Sequence, residues 1–153
     1  MLNYLFEKSQ ERKQLKGALA PYGLGLSDLD PIDLKKLLCS IHRHITLVSK
    51  KYGQPSSGIQ HQVITPVVWA TAYCLLGGSR IVQIEPGFRD IIDEVETELV
   101  LHLSGESSDN QSIYPEIFST LLASDACHPE VLAFVRNLVY ISHTVNQQRS
   151  LAG

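Results

Sequence analysis

The sequence has few of the residues on which cross-linked or metal-bound small proteins depend. It contains only three cysteines, Cys39, Cys74 and Cys127, and no CxxC pair. An odd number of widely spaced cysteines in apolar surroundings argues against a disulfide framework and against a zinc finger. We expect three buried free thiols in a reducing compartment, because free cysteine packs like a small hydrophobic residue.

Long hydrophobic runs are also absent. The most apolar stretch, residues 63–76, contains Thr65, Pro66 and Thr71, and it is shorter than the roughly 20 residues that a membrane-spanning helix needs. The N-terminus places its apolar residues before its basic ones, which is the reverse of a secretory signal. We therefore expect a cytoplasmic protein without a membrane span, in which residues 63–76 form a buried helix.

Charged residues are scarce, at 19%, while 44% of the residues are hydrophobic. This balance excludes intrinsic disorder. A chain of 153 residues is long enough to bury one substantial core without disulfides or a metal. We expect residues 1–153 to form a single domain.

Proline gives the clearest positive signal, because its fixed φ and missing N–H suit the first turn of a helix. The best helix start is Asp30-Pro31, where Asp30 can cap, and Gly53 is placed to end that helix. Further starts are expected at Pro66, Pro86, Pro115 and Pro129. Only residues 80–84 alternate like a strand, and a single strand cannot form a sheet.

These patterns predict an all-α fold, an orthogonal or up-down bundle of about six helices around a central helix at 63–76. A polar run interrupts the apolar pattern of residues 1–20, so we expect this first helix to dock loosely. The last helix, which begins at Pro129, has an apolar arc wide enough to contact two neighbours, or one neighbour and a second chain. A homodimer through this helix is therefore expected.

The charge is unevenly distributed along the chain. Residues 1–51 hold nine Lys and Arg against five Asp and Glu, whereas residues 52–153 hold four against eleven. Six carboxylates between Glu85 and Glu98 accompany a single cation, Arg89. Such an acidic helix face is either simply solvated, or meets the basic N-terminal part of the chain, or binds a basic partner.

Catalytic and metal-binding motifs are missing: there is no GxSxG, no HExxH and no GxxxxGK[ST] in the sequence. The one helical pair with the spacing of metal ligands is Glu98 and His102, at i and i+4. A metal-dependent helical enzyme that uses these two residues is one alternative. We expect no cofactor, and a non-enzymatic protein is the favoured interpretation.

Nucleic-acid binding is a second alternative, because basic side chains cluster on the first two predicted helices. These are Lys8, Arg12, Lys13, Lys16, Lys35, Lys36, Arg43, Lys50 and Lys51. The isoelectric point near 6.0 opposes this alternative, because phosphate contacts need a basic docking surface.

The remaining hypothesis is a protein-interaction module of the adaptor, accessory or chaperone-like, or anti-effector and immunity type. We expect it to hold a protein partner through an acidic helix face. The residues expected to bind that partner are Asp90, Asp93, Glu94 and Glu98.

Overall fold

The structure is a computed structural model that describes residues 2–105 and 112–152, with side chains described for 9–55, 58–105 and 112–141. The described residues form seven α-helices and no strands, which confirms the predicted all-α class. The helices are α1 (Leu2–Leu19), α2 (Pro31–Tyr52), α3 (Ser56–Leu76), α4 (Gly78–Ile84), α5 (Arg89–Leu103), α6 (Tyr114–Leu121) and α7 (Pro129–Ala152).

Helix α2 begins and ends where the sequence predicts. The carboxylate of Asp30 accepts a hydrogen bond from the backbone N–H of Ile32 at 2.8 Å, and Pro31 occupies the first helical position. At the other end Gly53 adopts φ +62°, a left-handed conformation that glycine takes without steric cost. Both boundaries therefore follow from local chemistry.

Helix α3 is the centre of the fold, as expected for the uncharged stretch 63–76. It packs against α1, α2, α4, α5 and α6. Its fully buried or nearly buried side chains are Ile59, Gln60, Val63, Ile64, Val67, Val68, Ala70, Thr71, Ala72, Tyr73 and Cys74. From residue 67 to residue 76 the helix has no exposed residue, which agrees with the lack of charged side chains in this stretch.

The predicted start of this helix at Pro66 is wrong, because α3 begins ten residues earlier, at Ser56, and Pro66 lies inside it. A proline inside a helix leaves the carbonyl four residues before it without a donor. That carbonyl belongs to Gln62, whose exposed position gives it access to water. The helix therefore continues through Pro66.

The strand-like residues 80–84 belong to a short helix, α4. Only Ile81 is fully buried in this helix, so the alternation of apolar and polar residues in the sequence does not correspond to alternating burial. Gly77 separates α3 from α4 with φ +82° and ψ +152°, a backbone region open almost only to glycine.

The remaining prolines mark helix starts as expected. A 3₁₀ turn at Pro86–Phe88 leads into α5, and Pro115 and Pro129 lie in the first turns of α6 and α7. The exposed loop predicted over residues 104–112 lies largely outside the described residues. α1 packs on α2 and α3 through the fully buried Leu15 and Leu19, and the expected loose docking of residues 1–20 stays a prediction.

Within the described part of the chain, no single helix is both long and apolar enough to cross a membrane. Gly58–Leu76 and Gly78–Ile84 taken together have the length and composition of a membrane span, but the pair is bent by 111°.

Candidate functional site

The four carboxylates predicted to bind a partner lie on α5, and we call them the acidic α5 surface: Asp90, Asp93, Glu94 and Glu98. The opposite face of α5 is buried in the core through Ile92, Val95 and Leu99. Asp90, Asp93 and Glu94 are exposed and Glu98 is half-buried. The helical period thus places three of the four side chains in solvent.

Glu94 and Glu98 lie towards the edge of the surface that borders α6. The hydroxyl of Tyr114 donates a hydrogen bond to Glu94 Oε2 at 3.4 Å. Burial raises the pKa of Tyr114, and the nearby charges of Glu94 and Glu98 raise it further. The phenol therefore stays protonated and serves as a donor that holds Glu94 against α6.

Glu96, on the other edge of α5, faces inward. The hydroxyl of Tyr73 donates to Glu96 Oε2 at 3.3 Å. Burial raises the pKa of Glu96, the hydrogen bond from Tyr73 opposes that shift, and the charges of Asp93 and Glu130 add to it. This carboxylate fastens α5 to α3 and contributes little to the acidic surface.

The described ion pairs of the basic N-terminal helices lie away from three of the four carboxylates of the acidic α5 surface. Among the described residues, no ion pair includes Asp90, Asp93 or Glu94. Arg43 and His44 of α2 pair instead with Glu116 of α6. Among the described residues, the alternative in which the acidic stretch meets the chain's own basic part therefore has no ion pair to support it at those three carboxylates.

Another carboxylate, Glu11, was not singled out by the sequence analysis and is buried. It is 1% exposed on α1, and its Oε1 lies 2.9 Å from Nδ1 of His42 on α2. The sequence contains a signal for this burial. Glu11 lies four residues before Leu15 and eight before Leu19, so it shares their buried face of the helix. The pair fixes the contact between α1 and α2.

On the other side of the same stretch of α2, His44 meets Glu116, with Nε2 3.0 Å from Oε2. Burial lowers the pKa of His44, and the charge of Arg43 lowers it further. Glu116 pairs with Arg43 as well as with His44. Because its charge is shared between the two, it does not reverse the lowering of the His44 pKa by burial. Alternate residues of His42-Arg43-His44 thus tie α2 to α1 and to α6.

The candidate metal ligands are not joined by further ligands. His102 is half-buried and its ring centroid lies 6.0 Å from that of Phe118. Within the described parts of the chain, no group of three or more His, Cys, Asp or Glu side chains is placed to hold a metal ion. In the described part of the structure, His102 therefore lies beside the aromatic ring of Phe118 and outside any cluster of three metal ligands.

The cysteines differ from the expectation of three buried thiols. Cys74 and Cys127 are buried, but Cys39 is exposed, because it lies on the outer face of α2. A hydrogen bond between the two buried thiols raises the pKa of Cys74 and lowers that of Cys127. The sequence separation of 53 residues between these two positions concealed their proximity.

A groove of about 620 Å³ runs between α2 and α6, and we call it the α2–α6 groove. It was not predicted from the sequence. Its lining consists of Ile32, Lys35, Lys36, Cys39, Ser40, Arg43, Pro115, Glu116, Ser119 and Thr120. Three of the nine basic residues noted in the sequence therefore line one concave, partly apolar surface.

The first turns of helix α7 pack on the core. Val131 is 1% exposed, and Phe134, Val135 and Leu138 are half-buried. Beyond them the exposed large side chains are Val139, Tyr140 and Ile141. The broad apolar arc of the sequence is thus largely covered over its first turns, whereas Val139 and Ile141 beyond them are more than half exposed.

Comparison with known proteins gives no further guidance to the role of these surfaces. No protein-family model, curated protein or solved structure matches this chain. A function for the chain therefore depends on the chemistry of its own surfaces.

Proposed function

We propose that this chain is a non-enzymatic protein-interaction module, of the adaptor, accessory or anti-effector type, that works in the cytoplasm. The acidic α5 surface would bind a partner protein that presents Lys and Arg. The observation that carries the proposal is the exposure of Asp90, Asp93 and Glu94 without an ion pair among the described residues. Exposed charge of one sign attracts and orients a partner of the opposite sign.

The four carboxylates would contribute unequally. Asp90 and Asp93 are exposed and form no side-chain hydrogen bond within the described residues, so a partner can reach all their oxygens. Glu94 is oriented by Tyr114, and Glu98 is half-buried at the margin. The centre of the interface would therefore lie at Asp90 and Asp93.

The two alternatives have less support. A metal-dependent reaction at His102 and Glu98 would need at least one further ligand. Nucleic-acid binding by the N-terminal helices would have to proceed although Arg43 is already paired with Glu116. Neither alternative has an observation of its own that favours it over a protein partner.

The test is affinity capture from extract of the native cell by the wild-type chain and by Asp93→Lys. The wild-type chain should retain a stoichiometric protein partner, and Asp93→Lys should retain several-fold less, because a lysine at the centre of the interface repels a basic partner. The double variant Asp90→Lys/Asp93→Lys should lose the partner. Nuclease treatment and metal analysis of the same eluate separate the alternatives.

The matched control is Asp125→Lys, an exposed carboxylate outside the acidic α5 surface. It reverses one charge, as Asp93→Lys does, and should leave capture unchanged. Equal capture by Asp93→Lys and the wild type, or equal loss in Asp125→Lys, would contradict the proposal. Unfolding curves of all variants confirm that capture is compared between folded proteins.

A further inference from the structure

The α2–α6 groove has an apolar part that no other part of the described chain covers. Ile32 is 66% exposed, and it lines the groove beside Cys39 and Pro115. A large aliphatic side chain in this position loses favourable burial for as long as the groove is empty. The groove is therefore suited to an occupant that presents apolar side chains.

The cations of the groove fall into two kinds. Arg43 is paired with Glu116, so these two charges neutralise each other. Lys35 and Lys36 are exposed, and within the described residues neither forms an ion pair. The unbalanced charge on the groove is therefore positive and lies beside the apolar surface of Ile32.

The shape of the groove selects the class of occupant. Drug-sized ligands are usually enclosed over most of their surface, whereas this groove is open to solvent along α2. From Ile32 to Arg43 the helix rises about 17 Å, or roughly three turns. An open groove of that length between two helices is suited to a third helix.

We propose that the α2–α6 groove binds an amphipathic helix of a partner protein, with Leu-like residues covering Ile32 and Asp or Glu residues facing Lys35 and Lys36. A nucleic acid is less well matched, because Glu116 would face its phosphates and Ile32 would stay uncovered. This surface is separate from the acidic α5 surface, so the two proposals stand or fall independently.

The test uses a synthetic helical peptide of about 14 residues, which spans roughly 21 Å. It carries Leu at every third or fourth position, Glu on the two flanks of that stripe, and Ala and Gln elsewhere. A second peptide replaces each Glu by Lys, and a third replaces each Leu by Ala. The acidic Leu peptide should bind the full chain about tenfold more tightly than either of the others.

Cys39 supplies a local readout, because it lines the groove and is exposed while Cys74 and Cys127 are buried. The acidic peptide should slow modification of Cys39 by a thiol reagent, measured by mass spectrometry of the labelled peptide. A general change in folding would instead expose the two buried thiols. The assay therefore locates binding at the groove.

Charge reversal identifies the contribution of the two lysines. Lys35→Glu/Lys36→Glu should lower the affinity for the acidic peptide by about tenfold and abolish the protection of Cys39 by that peptide. The matched control, Arg12→Glu/Lys13→Glu, reverses two exposed cations on α1 and should leave both readouts unchanged.

Three results would overturn the proposal. The first is equal binding of the acidic and basic peptides, and the second is binding without protection of Cys39. The third is protection of Cys39 by a short single-stranded oligonucleotide but not by the acidic peptide, which would assign the groove to nucleic acid.

Discussion

Glu130, in the first turn of α7, accepts two hydrogen bonds from Ser79 at the start of α4. Its Oε1 lies 3.1 Å from the backbone nitrogen and 3.0 Å from the hydroxyl oxygen of Ser79. The carboxylate thus satisfies an N–H that the short helix cannot pair internally. A contact between two residues that are 51 positions apart in the sequence thus joins α4 to α7.

The approach of Glu130 depends on Gly77. A Cβ at position 77 would lie 2.9 Å from Glu130 Oε2 and 3.0 Å from His128 Nδ1. We expect Gly77→Ala to lower the free energy of unfolding by about 1–3 kcal/mol, because its φ and ψ are strained for any other residue. Urea unfolding measures the effect.

The matched control for this substitution is Gly17→Ala. Gly17 lies inside α1 with no atom within 4 Å of an added Cβ. Alanine there should raise the free energy of unfolding by about 0.5–1 kcal/mol, because glycine is a poor helix former. Equal effects at positions 17 and 77 would show that the conformation of Gly77 is not required.

The buried pair of Glu11 and His42 predicts a second effect on stability. His42→Ala removes a hydrogen bond to a carboxylate that is 1% exposed. We expect a loss of about 1.5–3 kcal/mol in the free energy of unfolding, the range for hydrogen bonds to buried charged groups. Thermal and urea unfolding should agree on the direction.

His61→Ala is the comparison for His42→Ala, because His61 is also on a helix but is exposed. His61→Ala should change the free energy of unfolding by no more than about 0.5 kcal/mol. If the two alanine variants unfold at the same urea concentration, the contact between α1 and α2 does not depend on His42.

His44 predicts a dependence of stability on pH. Its pKa is lowered from 6.5 in the folded chain by burial and by Arg43, so the unfolded chain takes up the proton first. As the pH falls below about 6.5, the unfolded state binds more protons and the free energy of unfolding decreases. Above that pH the imidazole is neutral in both states and contributes no slope.

The measurement is urea unfolding at several pH values between about 7.5 and 5.5, for the wild type and His44→Gln. The other ionisable groups are shared, so the difference between the two curves isolates His44. The wild type should lose more stability on acidification than the variant does. Parallel curves would mean that the folded environment leaves His44 unperturbed.

Local chemistry was readable from the sequence, and this explains which helices were predicted. The boundaries of α2 depend on Asp30, Pro31 and Gly53, which act within one turn of the chain. The start of α3 was mispredicted because Pro66 is tolerated only through its surroundings. The short α4 was missed because its start depends on a contact between Gly77 and Glu130, two residues that only the fold brings together.

The candidate sites show the same division. Exposure of Asp90 and Asp93 followed from the helical period of α5, and the structure agrees. The exposed Cys39 and the groove it lines need the packing of α6 beside α2, which no local pattern specifies. Contacts between distant segments, such as Glu11 with His42, likewise required the structure.

The exposed apolar side chains in the middle of α7 predict the oligomeric state. Val139 and Ile141 are 55% and 57% exposed, and they follow directly on the part of α7 that packs on the core. We expect two copies to bury apolar side chains of this segment against each other, because a segment with little charge is complementary to itself in a two-fold dimer. Sedimentation velocity over a range of concentrations should therefore show a dimer.

Val139→Asp/Ile141→Asp should convert that dimer to a monomer, because the interface would bury unpaired carboxylates. Leu47→Asp is the control, since Leu47 is 56% exposed but lies on α2, so it tests whether any exposed apolar side chain promotes association. It should leave the dimer intact. Two results would show that α7 is not a dimer interface. The first is a wild-type chain that sediments as a monomer at all concentrations. The second is a Leu47→Asp variant whose dimer dissociates as much as that of Val139→Asp/Ile141→Asp.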